Sequence, residues 1–423
     1  MYNFLNKLSF YINKLNLSKG RLMLPSVLEL YIVWHPGDAE GEGFAGVISE
    51  YFKGTKFTGL ISGAIEVYVR SEGWTKTTGA PRQIPSTESP PPNGIPTAKF
   101  TAVIPLLGLE MAKAVEKKKD DEWYSYIENL VKVQRLDSQS VKIFPYVIDN
   151  ASIDRTKLGE LVEPYQQLAN EPTEVESETT EELLCRDLSQ GLSQFLAPKD
   201  KDRLKVFISH TKKALPESGD DSLILVEDVR SVIANTRLAA FFDASDIQVG
   251  DDWEQDLVEE AGSCALLCLR TDLYSSRIWC QYEMLIAKRK GMPIVVLDAL
   301  FLGEERGSFI MDHLPRLPMR KQAGNWCRSD IVKGLRLLVD ESLKKYLWGH
   351  QESLLKERMI EVCPRLGVEN LLSLYFDHNE VSKRINEKLG FRTAGHLTEI
   401  AEVFGEKRGL MIGVLRVPST GWK

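Results

Sequence analysis

The stretch SSRIWCQYEMLIA, residues 275 to 287, places one carboxylate, Glu283, a helical turn after Trp279 in otherwise apolar company. Residues four apart share a helix face, so the indole and the carboxyl can border one patch. By itself such a glutamate reads as a solvated residue at the edge of a packing stripe. An anion in an aromatic, partly dry pocket can also stabilise a cationic centre, because low dielectric enlarges its field. Ser275 or Ser276 is the expected helix cap, and Trp279, Tyr282 and Ile286 form the expected stripe against a sheet. Cys280, beside the tryptophan, is one of six cysteines, none in a Cys-x-x-Cys pair or a His-paired metal spacing. They read as reduced, buried thiols of a cytoplasmic protein.

Alternating strands and helices must position this element. KVFISH (205–210) reads as a strand, VEDVRSVIAN as a helix, AAFFD (239–243) as a strand, and ASDIQVGDD as a polar loop. A helix carrying Trp253, Leu257 and Ala261 follows, capped by Asp251. CALLCLR, the helix bearing Glu283, and PIVVL (293–297) complete a flavodoxin-like parallel α/β order. In such sheets ligands bind beyond the carboxyl ends of the strands, where Ser209, His210, the 244–253 loop and the Glu283 helix would gather.

An earlier run repeats the pattern: VLELYIVW, GFAGVISEYF, AIEVYVRS, FTAVIPLLGL, DDEWYSYIENLVKVQ and VKIFPYVID. Here Glu128 lies five residues after Trp123, whereas Glu283 lies four after Trp279. On a helix that difference turns the carboxylate by about 100°, so this unit is expected to lack the constellation. An insertion between Lys76 and Lys99 with six prolines reads as an exposed loop. Residues 171–182 hold six glutamates and no cation, and their self-repulsion predicts a solvated boundary before the helix ELLCRDLSQGLSQFL.

The expected organisation is an amphipathic leader over 1–25, an α/β unit over 26–165, and an acidic linker and helix over 166–202. A second α/β unit with a helical extension spans 203–345, and a small mixed α/β region spans 346–423. The leader has Lys7, Lys14, Lys19 and Arg21 without an acid, but its apolar residues are too interrupted for a secretory core. No window reaches the length of a membrane span. A net charge of −7 gives no electrostatic reason to expect nucleic acid.

Residues 203–300 resemble the Toll/interleukin-1 receptor (TIR) domain family through VFISH, FFDASDIQVGDDW, CALLCLRTDLYSSRIWCQYE and MPIVVL. Members that cleave NAD+ carry a Trp-Cys-x-x-Glu or related element, matched here by Trp279, Cys280 and Glu283. The resemblance implies that Glu283 is catalytic and that Trp253 stacks on the nicotinamide. Ser209 and His210 would contact the ligand, with Asp246, Trp279 and Cys280 completing the candidate site. His210 departs from the arginine that NAD-cleaving relatives often carry nearby. One carboxylate suffices because nicotinamide is already cationic in NAD+ and leaves neutral, whereas glycosidases must protonate a poor leaving group. NAD+ is then a substrate, and no cofactor or metal is required.

The resemblance further implies a TIR–TIR homo-oligomer that switches the enzyme on, an unidentified activator, and a role as an anti-phage effector that depletes NAD+. The alternative is a non-catalytic TIR scaffold. Separately, NEKLGFRTAG (386–395) resembles the closing segment of GNAT acetyltransferases, without their upstream phosphate loop.

Overall fold

In the computed structural model the described residues are 25–416, apart from 58–63, 74–78, 86–96, 117–121, 166–167, 170–177, 198–203, 212–221, 241, 244–263, 305–308, 312, 366–369, 378 and 404–405. The chain is mixed α/β, with two parallel sheets followed by an antiparallel one. The leader, much of the proline-rich insertion, residues 171–177 and the helix expected around Trp253 lie outside the described residues.

The first sheet holds β1 (Leu28–Val33), β2 (Ile65–Arg70), β3 (Phe100–Leu107), β4 (Val141–Ile143), β5 (Tyr146–Val147) and β6 (Leu168–Ala169). Its order is β2-β1-β3-β5-β6, with β4 also on β3, and every pairing is parallel. Helices α1 (Ala39–Lys53), α2 (Leu109–Glu116), α3 (Glu122–Leu136) and α4 (Lys157–Val162) cover it. Strand residues alternate between two cores: Leu28, Leu30 and Ile32 point into one, Tyr31 and Val33 into the other. Burial on both faces explains the nearly continuous apolar runs of these strands.

Helix α5 (Thr180–Leu196) then leads to β7 (Leu204–Ser209), α6 (Ser222–Ala234), β8 (Phe242–Asp243) and β9 (Cys264–Arg270). After them come α7 (Ile278–Lys290), β10 (Ile294–Asp298) and β11 (Arg316–Pro318). This sheet has the order β8-β7-β9-β10-β11, again all parallel. Numbered within its unit, this sheet follows the doubly wound order 2-1-3-4-5, and the first sheet does too once β4 and β5, which pair successive segments of β3, are counted as one interrupted strand. The strand expected at 239–243 is shorter than its sequence suggests. Arg237–Ala240 forms a 3₁₀ turn anchored by the fully buried Leu238, and only Phe242–Asp243 pairs with β7.

After the hairpin β12 (Lys321–Gln322) and β13 (Asn325–Trp326), helix α8 runs unbroken over Arg328–Arg365, through the expected boundary at 345/346. Ile331, Val332, Leu335, Leu338 and Val339 on it pack into the second unit's core, while Leu343 and Leu347 enter the first unit's core. Where the two meet, the buried carboxylate of Asp340 accepts from Tyr51 Oη at 2.8 Å and pairs with Lys56 Nζ. The long helix therefore belongs to both units.

Helix α5 packs against α8 and starts with a capping box: Thr179 Oγ1 accepts from Glu182 N, and the Glu182 carboxylate accepts from Thr179 N. The described end of the acidic stretch, residues 178–182, is less solvated than its composition predicts. Glu178 is buried against Arg186 at 3.0 Å, and Glu182 meets Arg336 of α8 at 2.9 Å. Those cations come from outside the stretch, one from over 150 positions downstream, so local charge counting misses them.

The last described elements are β14 (Asn370–Phe376), α9 (Glu380–Lys388), β15 (Arg392–Val403) and β16 (Glu406–Arg416), whose strands form an antiparallel sheet ordered β14-β16-β15. Among the described residues no helix is long and apolar enough to cross a membrane.

Candidate functional site

Period-two alternation along β7 decides where Ser209 points. Val206 enters the core shared with α6 and α8, Phe207 the core under α7, and Ser209 follows Phe207. Helix α7 presents Cys280, Met284 and Ala287, at i, i+4 and i+7, to the same core. Glu283 immediately precedes Met284 and flanks this stripe, so it reaches the strand ends without entering the apolar core.

The two side chains meet: Ser209 Oγ donates to Glu283 Oε2 at 2.5 Å. Tyr274 Oη lies 2.6 Å from Ser209 Oγ. A serine hydroxyl has one proton, and here it goes to the carboxylate, so Tyr274 donates to the Ser209 lone pair. The result is a relay from Tyr274 through Ser209 to Glu283, built from the 3₁₀ turn after β9, the end of β7, and α7. Tyr274 is fully buried, and burial holds its phenol well above the usual range, so it remains protonated. Sequence reasoning missed Tyr274. The available signal was an aromatic in the short polar turn TDLYSS directly after an apolar strand.

The other candidates divide. His210 follows Ser209, is half-buried, and its Nδ1 lies 3.0 Å from Ile208 O. Cys280 is buried, with Sγ 3.6 Å from His210 O. Burial, reinforced by the Glu283 charge, pushes its thiol up to about 12. Of the expected Trp279-Tyr282-Ile286 stripe, Ile286 is buried in the core under α7 and Tyr282 packs against it, but Trp279 is 65% exposed, because the helix is rotated so that Cys280 and Met284 face the sheet. Asp246 and Trp253 lie outside the described residues.

The expected serine caps are also used differently. Ser276 Oγ bonds Leu273 O inside the 3₁₀ turn, and Ser275 Oγ donates to Glu304 Oε1 at 2.5 Å. Helix α7 begins after Arg277 with no side-chain cap and ends in the left-handed Gly291, φ 64°. Glu304 also receives Arg270 at 2.5 Å, and Arg270 pairs with Asp298 at 3.0 Å. Asp272 accepts from the backbone N–H groups of Phe301, Leu302 and Gly303 at 2.9, 2.7 and 3.1 Å. This network fixes the loops after β9 and β10 to each other and leaves Phe301 and Leu302 exposed.

The first unit is built differently at the equivalent edge. Trp123 is buried with its ring 5.2 Å from His35, and Glu128 is exposed, 3.5 Å from Tyr124 Oη. The carboxylate at the strand ends is Asp38, which accepts from Glu110 N at 2.9 Å and Met111 N at 3.1 Å at the start of α2. Gly108 is required beside it, because a Cβ there would lie 2.4 Å from Asp38 Cγ. Of the five cysteines whose side chains are described, four are buried, Cys327 is half-buried, and none forms a disulfide.

No protein-family profile and no curated protein matches the sequence. Among solved structures, a crystal structure provisionally assigned as a phosphinothricin N-acetyltransferase shares 31% identity over 16% of this chain and 43% of that one, with a TM-score of 0.15. The chain thus spans less than half of that acetyltransferase.

Proposed function

We propose that the chain is a TIR-type NAD+ glycohydrolase in which Glu283 acts at the nicotinamide-ribose bond. The observation that carries this reading is the Ser209–Glu283 contact at the carboxyl edge of a doubly wound parallel sheet, where such sheets bind ligands. The C1′–N1 bond breaks with its electron pair on the nicotinamide ring, which leaves neutral. Glu283 offsets the oxocarbenium-like charge left on the ribose. Water adds at C1′ and loses a proton, giving ADP-ribose, or a nucleotide nucleophile of the same molecule closes a ring. Ser209 and Tyr274 hold the carboxylate in one orientation, so little reorganisation is required when charge develops. His210, Asp246 and Trp253 are the proposed ligand contacts, with Trp253 stacking on the nicotinamide. Activation by TIR–TIR assembly, a cytoplasmic setting and a role in anti-phage defence belong to the same proposal. Nicotinamide released from NAD+ by purified protein, followed by chromatography over a range of protein concentrations, tests it.

The exposed Phe301 and Leu302, pinned outward by Asp272, favour a second reading, a TIR scaffold that docks partners without chemistry. Unchanged NAD+ at every concentration, together with self-association lost on Phe301→Ser, would select that reading.

A further inference from the structure

We propose that β14 is a homodimerisation edge, through which two copies of the chain join their C-terminal sheets antiparallel about a twofold axis at Ser373. This inference stands independently of the proposed NAD+ chemistry. Strand β14, Asn370–Phe376, reads NLLSLYF and pairs with β16 alone among the described strands. Among the described residues its outer row of backbone groups is therefore open to another strand. Proteins blunt such edges with charges, prolines or bulges. β14 has no charged residue, no proline and no glycine, and its register with β16 is uninterrupted. The opposite edge of the same sheet, β15, is blunted: its pairing slips between Thr393 and Gly395 and again between Leu397 and Ala401, and it exposes Arg392 and His396. One edge is protected and the other is not.

The occupant follows from Ser373. It is 6% exposed, and its Oγ has no hydrogen-bond partner among the described residues. A buried orphan hydroxyl calls for an explanation. A twofold axis at Ser373 sets it directly opposite the partner's Ser373, within the Cβ separation of about 4.5–5.5 Å at which cross-strand hydroxyls bond each other. In that register Leu372 faces the partner's Leu374, and Leu374 faces the partner's Leu372. These two leucines are 69% and 49% exposed on the uncovered face of the sheet. The pairing brings them together across the axis, and a neutral strand meets its copy without like-charge repulsion. A single symmetric contact thus accounts for the unblunted edge, the orphan hydroxyl and the exposed leucines.

The register makes a charge-swap test. Leu372→Lys/Leu374→Lys sets lysine against lysine at both cross-strand positions, whereas Leu372→Glu/Leu374→Lys sets glutamate against lysine. Both sites are exposed, so the fold tolerates either pair. Light scattering on the full chain at micromolar concentration should give at least twice the chain mass for wild type, half the wild-type mass for the double-lysine protein, and the wild-type mass again for the Glu/Lys protein. Amide exchange along β14 should be slow in the first and third proteins and fast in the second. A monomeric wild type, a double-lysine protein of unchanged mass, or a Glu/Lys protein as dispersed as the double-lysine one would each overturn the proposal. A wild type that stays monomeric alone and binds only an added strand from another protein would reassign the edge to that partner.

Discussion

The Ser209 hydroxyl and the Glu283 carboxylate, 74 residues apart in sequence, meet at 2.5 Å at the carboxyl edge of the second sheet. Neither residue is unusual alone. Their contact requires the period-two alternation of β7 and the rotation of α7 that buries Cys280 and Met284 to agree on one face. Tyr274, fully buried behind Ser209, extends the contact into a relay.

Tyr274→Phe removes the outer donor of that relay while keeping the buried ring. If the relay orients Glu283, kcat for NAD+ cleavage falls about tenfold, the equivalent of ~1.4 kcal/mol of barrier, while KM changes little. Ser209→Ala should fall further, because it removes the group that touches the carboxylate. Steady-state kinetics checks both. An unchanged kcat in Tyr274→Phe would reduce the tyrosine to a packing residue.

Cys280 sits inside the Trp-Cys-x-x-Glu element, yet its thiol is buried and pushed up to about 12. It therefore stays protonated near neutrality and is a poor nucleophile. Cys280→Ala should keep most NAD+ turnover, and mass spectrometry after iodoacetamide treatment of the native protein should find Cys280 unmodified. Rapid alkylation would show a thiol more accessible than this packing allows.

Much of this arrangement is legible in the sequence. The apolar runs of β1, β3, β7, β9 and β10 mark strands buried on both faces, and Ser209 and Glu283 stand out by position and type. The aromatic in TDLYSS marked Tyr274 as unusual, but its role was not legible, because it depends on a turn that folds the ring back under a strand end. Trp279 was misjudged because either of two neighbouring helix faces has apolar residues, and only packing against Phe207, Leu266 and Cys268 selects the Cys280 face. The pairing of Glu182 with Arg336 and of Tyr51 with Asp340 joins distant segments, and local composition holds no trace of it.

The junction at Asp340 ties α8 to the first unit. Tyr51→Phe deletes a hydrogen bond to a buried carboxylate, for which a loss of about 1.5–3 kcal/mol is typical. Denaturant titration should show a lower midpoint with a similar slope. A midpoint equal to that of wild type would mean the Tyr51–Asp340 contact contributes nothing to the junction.

His350 supplies a pH dependence. Its Nε2 lies 2.8 Å from Leu196 O, its ring meets Phe100, and burial lowers its pKa from the ordinary value. The unfolded chain then binds a proton that the folded chain resists, so stability rises with pH in this range. The contribution is complete above the unfolded value of about 6.5 and is lost as pH falls through the lower folded value. Thermal melts between pH 7.5 and 5 should show this loss in wild type and a shallower slope in His350→Gln. Equal slopes would assign the acid sensitivity to other groups.

The central claim rests on one carboxylate, and Glu283→Gln tests it most directly. Purified wild type and variant, matched in concentration and circular dichroism, are incubated with NAD+ and followed by chromatography. Nicotinamide accumulating with wild type and not with Glu283→Gln is the predicted result. Equal nicotinamide release by both proteins, or none by wild type at any concentration, would contradict it.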